Sequence, residues 1–117
     1  MSQRTTCGTL SDVRQRGTLI LGKVTFDSDL RFFDGHFPSE PVYPGAAQLQ
    51  LVMEVLERSL GRPVRLTRIK RVKFSERIGA AHAGELRLEV DEERGRVRYD
   101  LTAGRVTYSS GLLWFEA

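Results

Sequence analysis

Cysteine is nearly missing from this chain, with Cys7 the only one in 117 residues. One thiol can close no internal disulfide and build no thiolate-rich metal site, so the sequence predicts a reducing, cytoplasmic setting. Cys7 itself reads as an incidental thiol in a loose N-terminal segment spanning residues 1–16. No apolar run approaches the about 20 residues of a membrane-spanning helix, which predicts no membrane partner. The opening Met-Ser-Gln-Arg-Thr-Thr carries a positive charge but not the apolar stretch of a secretory signal. Internal repeats, low-complexity tracts and a second-domain linker are missing too. Apolar content of 40% and charged content of 28% are those of one soluble globular domain, residues 1–117. Histidine is scarce, limited to His36 and His82.

What is present is unevenly placed. The net charge is +3, yet Arg65, Arg68, Lys70, Arg71, Lys73 and Arg77 crowd one segment, interrupted by Leu66, Ile69, Val72 and Phe74. A basic stripe can meet nucleic acid, an acidic protein or only solvent. With little aromatic interleaving for base stacking and no nucleic-acid motif, the prediction is no nucleic acid.

Hydrophobic periodicity predicts a strand over 18–26, with Ile20, Val24 and Phe26 on one side, and a polar loop over 27–44. A helix follows from Gly45 to Leu60, stopped by Gly61 and Pro63. Ala47, Leu49, Leu51, Val52, Val55, Leu56 and Leu60 cover much of its circumference, so it should be largely buried. The pattern then changes to period two. Residues 64–74 alternate imperfectly; Leu86, Leu88 and Val90 alternate cleanly, as do Val97, Tyr99 and Leu101. Val106, Tyr108, Ser110, Leu112 and Trp114 form the last set. Short strands joined by turns at 91–95 and Gly104 argue an antiparallel meander. The fold class is α+β, one curved antiparallel sheet wrapped around one central helix.

The most specific segment is Gly35-His36-Phe37-Pro38-Ser39-Glu40-Pro41-Val42-Tyr43-Pro44-Gly45. Its prolines lock φ and its glycines permit turns other residues avoid, so His36 sits in a stiffened frame. An imidazole held at a set angle, titrating near working pH, is suited to take and return a proton. His82 lies in a run of small residues, Gly79-Ala80-Ala81-His82-Ala83-Gly84, and reads as a surface turn residue; no metal site is predicted.

Gly35-His36-Phe37-Pro38, Pro41 and Pro44-Gly45 resemble the active-site segment of the 3-hydroxyacyl-acyl carrier protein dehydratases, which have the hot-dog fold. Phe33, Ala47-Gln48-Leu49, Val72-Lys73-Phe74, Gly84-Glu85-Leu86 and Ser109-Ser110-Gly111 follow in the family's order. With Gln48, the late features are more similar to the branch serving aryl-polyene and related lipid pathways than to the housekeeping fatty-acid branch. The resemblance implies that His36 is the base and that the Gly45 N–H meets the charge on the thioester oxygen. It also places Ala46, Phe37 and Pro44 around the substrate. It implies no cofactor, an acidic acyl carrier protein as partner, and a homodimer or higher even oligomer, or a heterodimer with a second dehydratase-like subunit. The basic stripe would then steer the carrier.

In the resembled family a carboxylate fourteen residues after the histidine protonates the departing hydroxyl, and here that position is Gln50. An amide can orient water or substrate but cannot cycle a proton. Three readings stay open: an acid from elsewhere (Glu54, Asp34 or Glu40), slow dehydration with His36 alone moving protons, or an acyl-binding subunit paired with a competent dehydratase. Gln48 and Gln50, about 200° apart around a helix, cannot both face the histidine. The resemblance favours Gln50.

Overall fold

The computed structural model describes residues 2–5, 7–27, 45–79 and 82–116. Four of the strands are β1 (Ser2–Thr5), β2 (Gly8–Arg16), β3 (Leu19–Thr25) and, after helix α1 (Gly45–Leu60), β4 (Arg65–Phe74). β5 (Ala83–Asp91), β6 (Arg96–Ala103) and β7 (Val106–Glu116) complete one seven-stranded sheet in the order β1-β2-β3-β5-β6-β7-β4, all pairs antiparallel. One helix against one antiparallel sheet is the hot-dog arrangement expected from the sequence.

The helix forms where the punctuation placed it. Its apolar positions bury Ala47, Leu51, Val52, Met53, Val55 and Leu56 against the inner face of the sheet. That face is supplied by alternate strand residues: Ile20, Val24, Leu86, Leu88, Val90, Val97, Tyr99 and Leu101 are all buried. Gly61, at φ 71°, ends the helix, its N–H bonded to the Glu57 carbonyl at 2.9 Å.

Three expectations are corrected. Residues 1–16 are not loose as far as they are described: β1 and β2 pair as a hairpin, and Cys7 in its turn is wholly buried in the core. The Cys7 N–H donates to Thr5 Oγ1 (2.9 Å), whose hydroxyl in turn donates to the Gly8 carbonyl (2.8 Å), which closes that turn. The meander holds only for β5, β6 and β7, because β4 crosses to the far edge beside β7 while β3 pairs with β5. On β7 the inward residues are Tyr108, Ser109, Leu113 and Phe115, whereas Val106 is exposed and Ser110, Leu112 and Trp114 are only partly covered. Apolar residues at 112–115 load both faces there, so alternation alone could not choose the buried side.

The imperfect alternation of 64–74 has a physical cause in two register shifts, between Leu66 and Arg68 and between Lys70 and Lys73. Each inserts an extra residue and resets which face the next side chain takes. Arg71 sits in the second with φ 57°. Opposite it, Gly111 has no room for a side chain: a Cβ would lie 2.5 Å from Val72 Cγ2 and 3.0 Å from Val72 Cα.

Directly opposed residues of an antiparallel pair share a face. Leu66 faces buried Phe115, Ile69 faces buried Leu113 and Phe74 faces buried Ser109, so these three point inward. Arg65, Arg68, Lys70 and Lys73 oppose Glu116, Trp114, Leu112 and Ser110 and point outward. The bulges thus sort a mixed sequence into an apolar inner stripe and a cationic outer one.

Candidate active site at the start of the central helix

Among the expected site residues, Gly45, Ala46, Gln50 and Glu54 lie on α1; His36, Phe37 and Pro44, with Asp34 and Glu40, lie outside the described residues. Gly45 is the first helical residue. Its N–H is among those at a helix start that no earlier carbonyl of the same helix can accept, and the helix dipole makes that end favourable for negative charge. The absence of a side chain there is filled from the sheet. A Cβ on Gly45 would sit 2.9 Å from Phe74 Cζ and 3.1 Å from both Cε atoms. The Phe74 ring therefore covers the helix start, while remaining 50% exposed. Sequence reasoning had only the Val72-Lys73-Phe74 order as a signal for it.

Behind Phe74 the inner face is unexpectedly polar. Ser109, its partner across the sheet, is fully buried, as is Tyr99 one strand further in. Neither hydroxyl has a well-formed hydrogen bond among the described residues. Burial pushes the Tyr99 hydroxyl above the ordinary tyrosine range; the nearby Ser109 hydroxyl partly opposes this and the Asp100 charge adds to it. Gln48, three residues along the helix from Gly45, is 3% exposed, and its Oε1 also finds no partner among the described residues.

Gln50 and Glu54 occupy another face. Ala46, Gln50 and Arg58 are exposed and Glu54 partly so, at the i, i+4 spacing that puts them in one row. This row is the side of α1 its own sheet leaves uncovered. Arg58 Nη2 donates to Glu54 Oε1 at 3.2 Å, while Glu54 Oε2 is buried with no partner among the described residues. The structure thus separates the two glutamines, as helix geometry required, with Gln48 packed inward and Gln50 outward.

His82 is a surface turn residue, as expected. Its Nδ1 accepts from the Gly79 N–H at 3.1 Å and its carbonyl accepts from the Phe26 N–H at 2.8 Å, which ties the turn to the end of β3. A groove of about 830 Å³ runs along the outer side of the sheet, lined by Arg87, Glu89, Arg96, Arg98 and Asp100 among others. None of its lining residues belongs to the first turn of α1, and opposed pairs such as Glu89 with Arg98 and Arg87 with Asp100 make it a cross-strand charge ladder.

Comparison with known proteins gives this geometry its context. The family model described as ApeI-like, ApeI dehydratase, matches residues 12–112. The 3-hydroxyacyl-[acyl-carrier-protein] dehydratase FabZ of Gluconobacter oxydans is 36% identical over 74 residues, which are 56% of this chain and 43% of that protein. The match therefore spans less than half the length of that curated relative. Among solved structures, the dehydratase heterocomplex ApeI:P from Xenorhabdus doucetiae superposes with a TM-score of 0.85 at 23% identity, covering 94% of this chain and 98% of that one. An uncharacterised protein from Erwinia carotovora subsp. atroseptica gives 0.72 at 26% identity, covering 92% and 91%. A sigma28-regulated virulence protein from Campylobacter jejuni gives 0.69 at 11% identity, covering 96% and 77%.

Proposed function

This chain belongs to the ApeI-like dehydratase family, and from that premise we propose that it removes water from a 3-hydroxyacyl thioester on an acyl carrier protein. The product is the trans-2-enoyl thioester, in fatty-acid or polyene-type lipid biosynthesis in the cytoplasm. The observation that carries the reading is the helix start: α1 begins at Gly45, the last residue of the His-Phe-Pro…Pro-Gly motif. The sequence motif that carries His36 thus runs directly into the start of a helix, the end whose dipole favours negative charge.

The chemistry follows from those two parts. His36 takes the C2 proton, and the charge that develops on the thioester oxygen meets the Gly45 N–H. The C3–O bond then breaks, and the departing hydroxyl takes a proton to leave as water. With an amide at position 50, the imidazolium of His36 returns the proton it removed, and Gln50 orients the hydroxyl by hydrogen bonding. The balance closes without a cofactor: one proton leaves C2, one reaches the oxygen, and His36 ends neutral. Glu54 is the alternative donor, through the carboxylate oxygen that Arg58 does not engage. Phe37, Pro44 and Ala46 flank the thioester, and Phe74 closes the helix start from the sheet side.

We propose an even-numbered assembly, a homodimer or a heterodimer with a second hot-dog subunit. The uncovered row of Ala46, Gln50, Glu54 and Arg58 supports it, since that row would face the neighbour. The outward cations of β4 and the net charge of +3 suit an acidic carrier protein.

A second reading is favoured by Gln50 itself: a dehydratase-like subunit of weakened turnover that binds acyl chains beside an active one. General-acid help is typically worth about 10²–10⁴-fold, so its loss separates binding from turnover. The test is a dehydration assay on 3-hydroxyacyl carrier protein with wild type, His36→Ala and Gln50→Asp. Turnover in wild type that disappears in His36→Ala is the expected result. Silence in wild type with activity gained in Gln50→Asp would establish the second reading instead.

A further inference from the structure

The outer face of the sheet carries a patch that neither the helix start nor the uncovered row of α1 uses. On β7, Leu112 and Trp114 point outward and are only partly covered. Each has a cation opposed to it on both neighbouring strands: Arg68 and Arg96 flank Trp114, and Lys70 and Arg98 flank Leu112. Arg68 lies over the Trp114 ring at 4.9 Å, and Arg96 reaches Asp91 at 3.7 Å. Arg68, Lys70 and Arg98 are exposed. The result is a narrow apolar ridge between two rows of positive charge.

Its dimensions select the occupant. Neighbouring strands lie about 4.8 Å apart, so the two cationic rows are about 10 Å from each other, and Leu112 and Trp114 are about 7 Å apart along β7. An α-helix is about 10–12 Å wide with its side chains, and residues one turn apart on it are spaced by about 5–6 Å. A helix laid along β7 therefore sets an apolar stripe on the ridge and its two flanks over the cations. Those flanks need Asp or Glu, because like charges placed there repel. A lipid surface fits less well, since the ridge is two side chains long and its indole is capped by a guanidinium instead of projecting.

We propose that this face seats an acidic amphipathic helix of a partner other than the carrier protein. A carrier has to bring its thioester to Gly45, which meets Phe74 on the inner side of the sheet. Leu112 and Trp114 are on the opposite side, so a helix seated on them leaves that approach open. The positive field of the chain acts on a carrier from a distance, whereas this contact is short-range and adds apolar burial to charge pairing. The inference goes beyond the dehydratase reading: it assigns a second acidic partner, bound to the back of the sheet.

The experiment uses the whole chain and no substrate, so it stands apart from any outcome of the dehydration assay. The probe is a stapled helical peptide with Leu along one stripe and Glu on both flanks, compared with the same peptide carrying Gln for Glu. Trp114 is the only tryptophan of the chain, so its emission reports on this face. The acidic peptide is expected to shift that emission to the blue as it covers the indole, with an affinity that falls as salt rises. The Gln peptide is expected to bind about tenfold or more weakly, and Lys70→Glu/Arg98→Glu to weaken the acidic peptide about tenfold. Equal shifts with both peptides, or unchanged affinity in the charge-reversed chain, overturn the proposal. Displacement of the peptide by an acyl carrier protein overturns it too, by giving the face to the carrier. A shift produced by anionic phospholipid vesicles and not by the peptide gives the face to a lipid surface and overturns it likewise. Should the charge-reversed chain fail to fold, Lys70→Gln/Arg98→Gln is expected to weaken the acidic peptide about threefold, and unchanged affinity overturns the proposal.

Discussion

Tyr99 lies on the inner face of the sheet with its ring fully buried and its hydroxyl short of a well-formed partner among the described residues. Its hydroxyl is held above the ordinary range of about 10, chiefly by burial. In the unfolded chain the phenol ionises at its ordinary value, so above about pH 10 the unfolded state binds fewer protons than the folded one. The contribution is therefore fully present below that pH and is lost as pH rises toward the folded-state value. Urea midpoints of wild type should fall through this alkaline range, and those of Tyr99→Phe should fall less. Near neutral pH the same substitution should cost little, because it removes a polar atom that makes no good bond. An equal alkaline decline in both proteins would assign the effect to other groups. The inner hydroxyls of Tyr99 and Ser109 were not legible as a pair in the sequence. Tyr99 fitted an alternation of apolar residues, and Ser109 was visible only as part of a motif order.

Among the elements, α1 was the most legible, because Pro44-Gly45 and Gly61 with Pro63 mark both ends with residues whose backbone preferences are strong. The N-terminal hairpin was hidden for the opposite reason. β2 is mostly polar, and a register shift between Ser11 and Arg14, with Asp12 at φ 51°, breaks its alternation. β2, flanked on one side only by the four-residue β1, buries few residues and leaves little periodic signal. In β4 the signal was present but scrambled by two bulges, and the site consequence is large, since they decide that Phe74 points at Gly45. Gly111 is the close contact that accommodates the second bulge. Gly111→Ala should destabilise the protein by about 2 kcal/mol, as overpacking typically does, read as a lower urea midpoint. Val72→Ala in the same chain should recover only part, because Val72 Cα would itself lie 3.0 Å from the added Cβ. Full recovery would mean that only the Val72 methyl group, and not the backbone of the bulge, is crowded.

At the scale of the whole molecule, the cations that looked like a stripe in sequence are a stripe in space, turned to one face by the irregularities of their strand. Exposed charges act over a distance that salt shortens to about 10 Å at 0.1 M. Turnover of a carrier-linked substrate at limiting concentration should therefore fall as salt rises, whereas the same acyl group on a small neutral thiol should be much less affected. Parallel salt dependence for both substrates would remove the carrier from the explanation. The motif pointed to His36 and to the start of the helix at Gly45 as the expected site. It could not reveal the ring over Gly45 or the uncovered row of Gln50 and Glu54, because both depend on how a distant strand and a helix face are turned.

The buried thiol of Cys7 has a use that has nothing to do with catalysis. It is the chain's one sulfhydryl, and it sits in the turn of the short hairpin formed by β1 and β2, at the opposite edge of the sheet from β4. A thiol reagent can reach it only when that hairpin opens, and edge elements open at lower free energy than the core. The chain thus carries its own clock for the breathing of one border, readable without adding a label site and independent of whatever the other border binds.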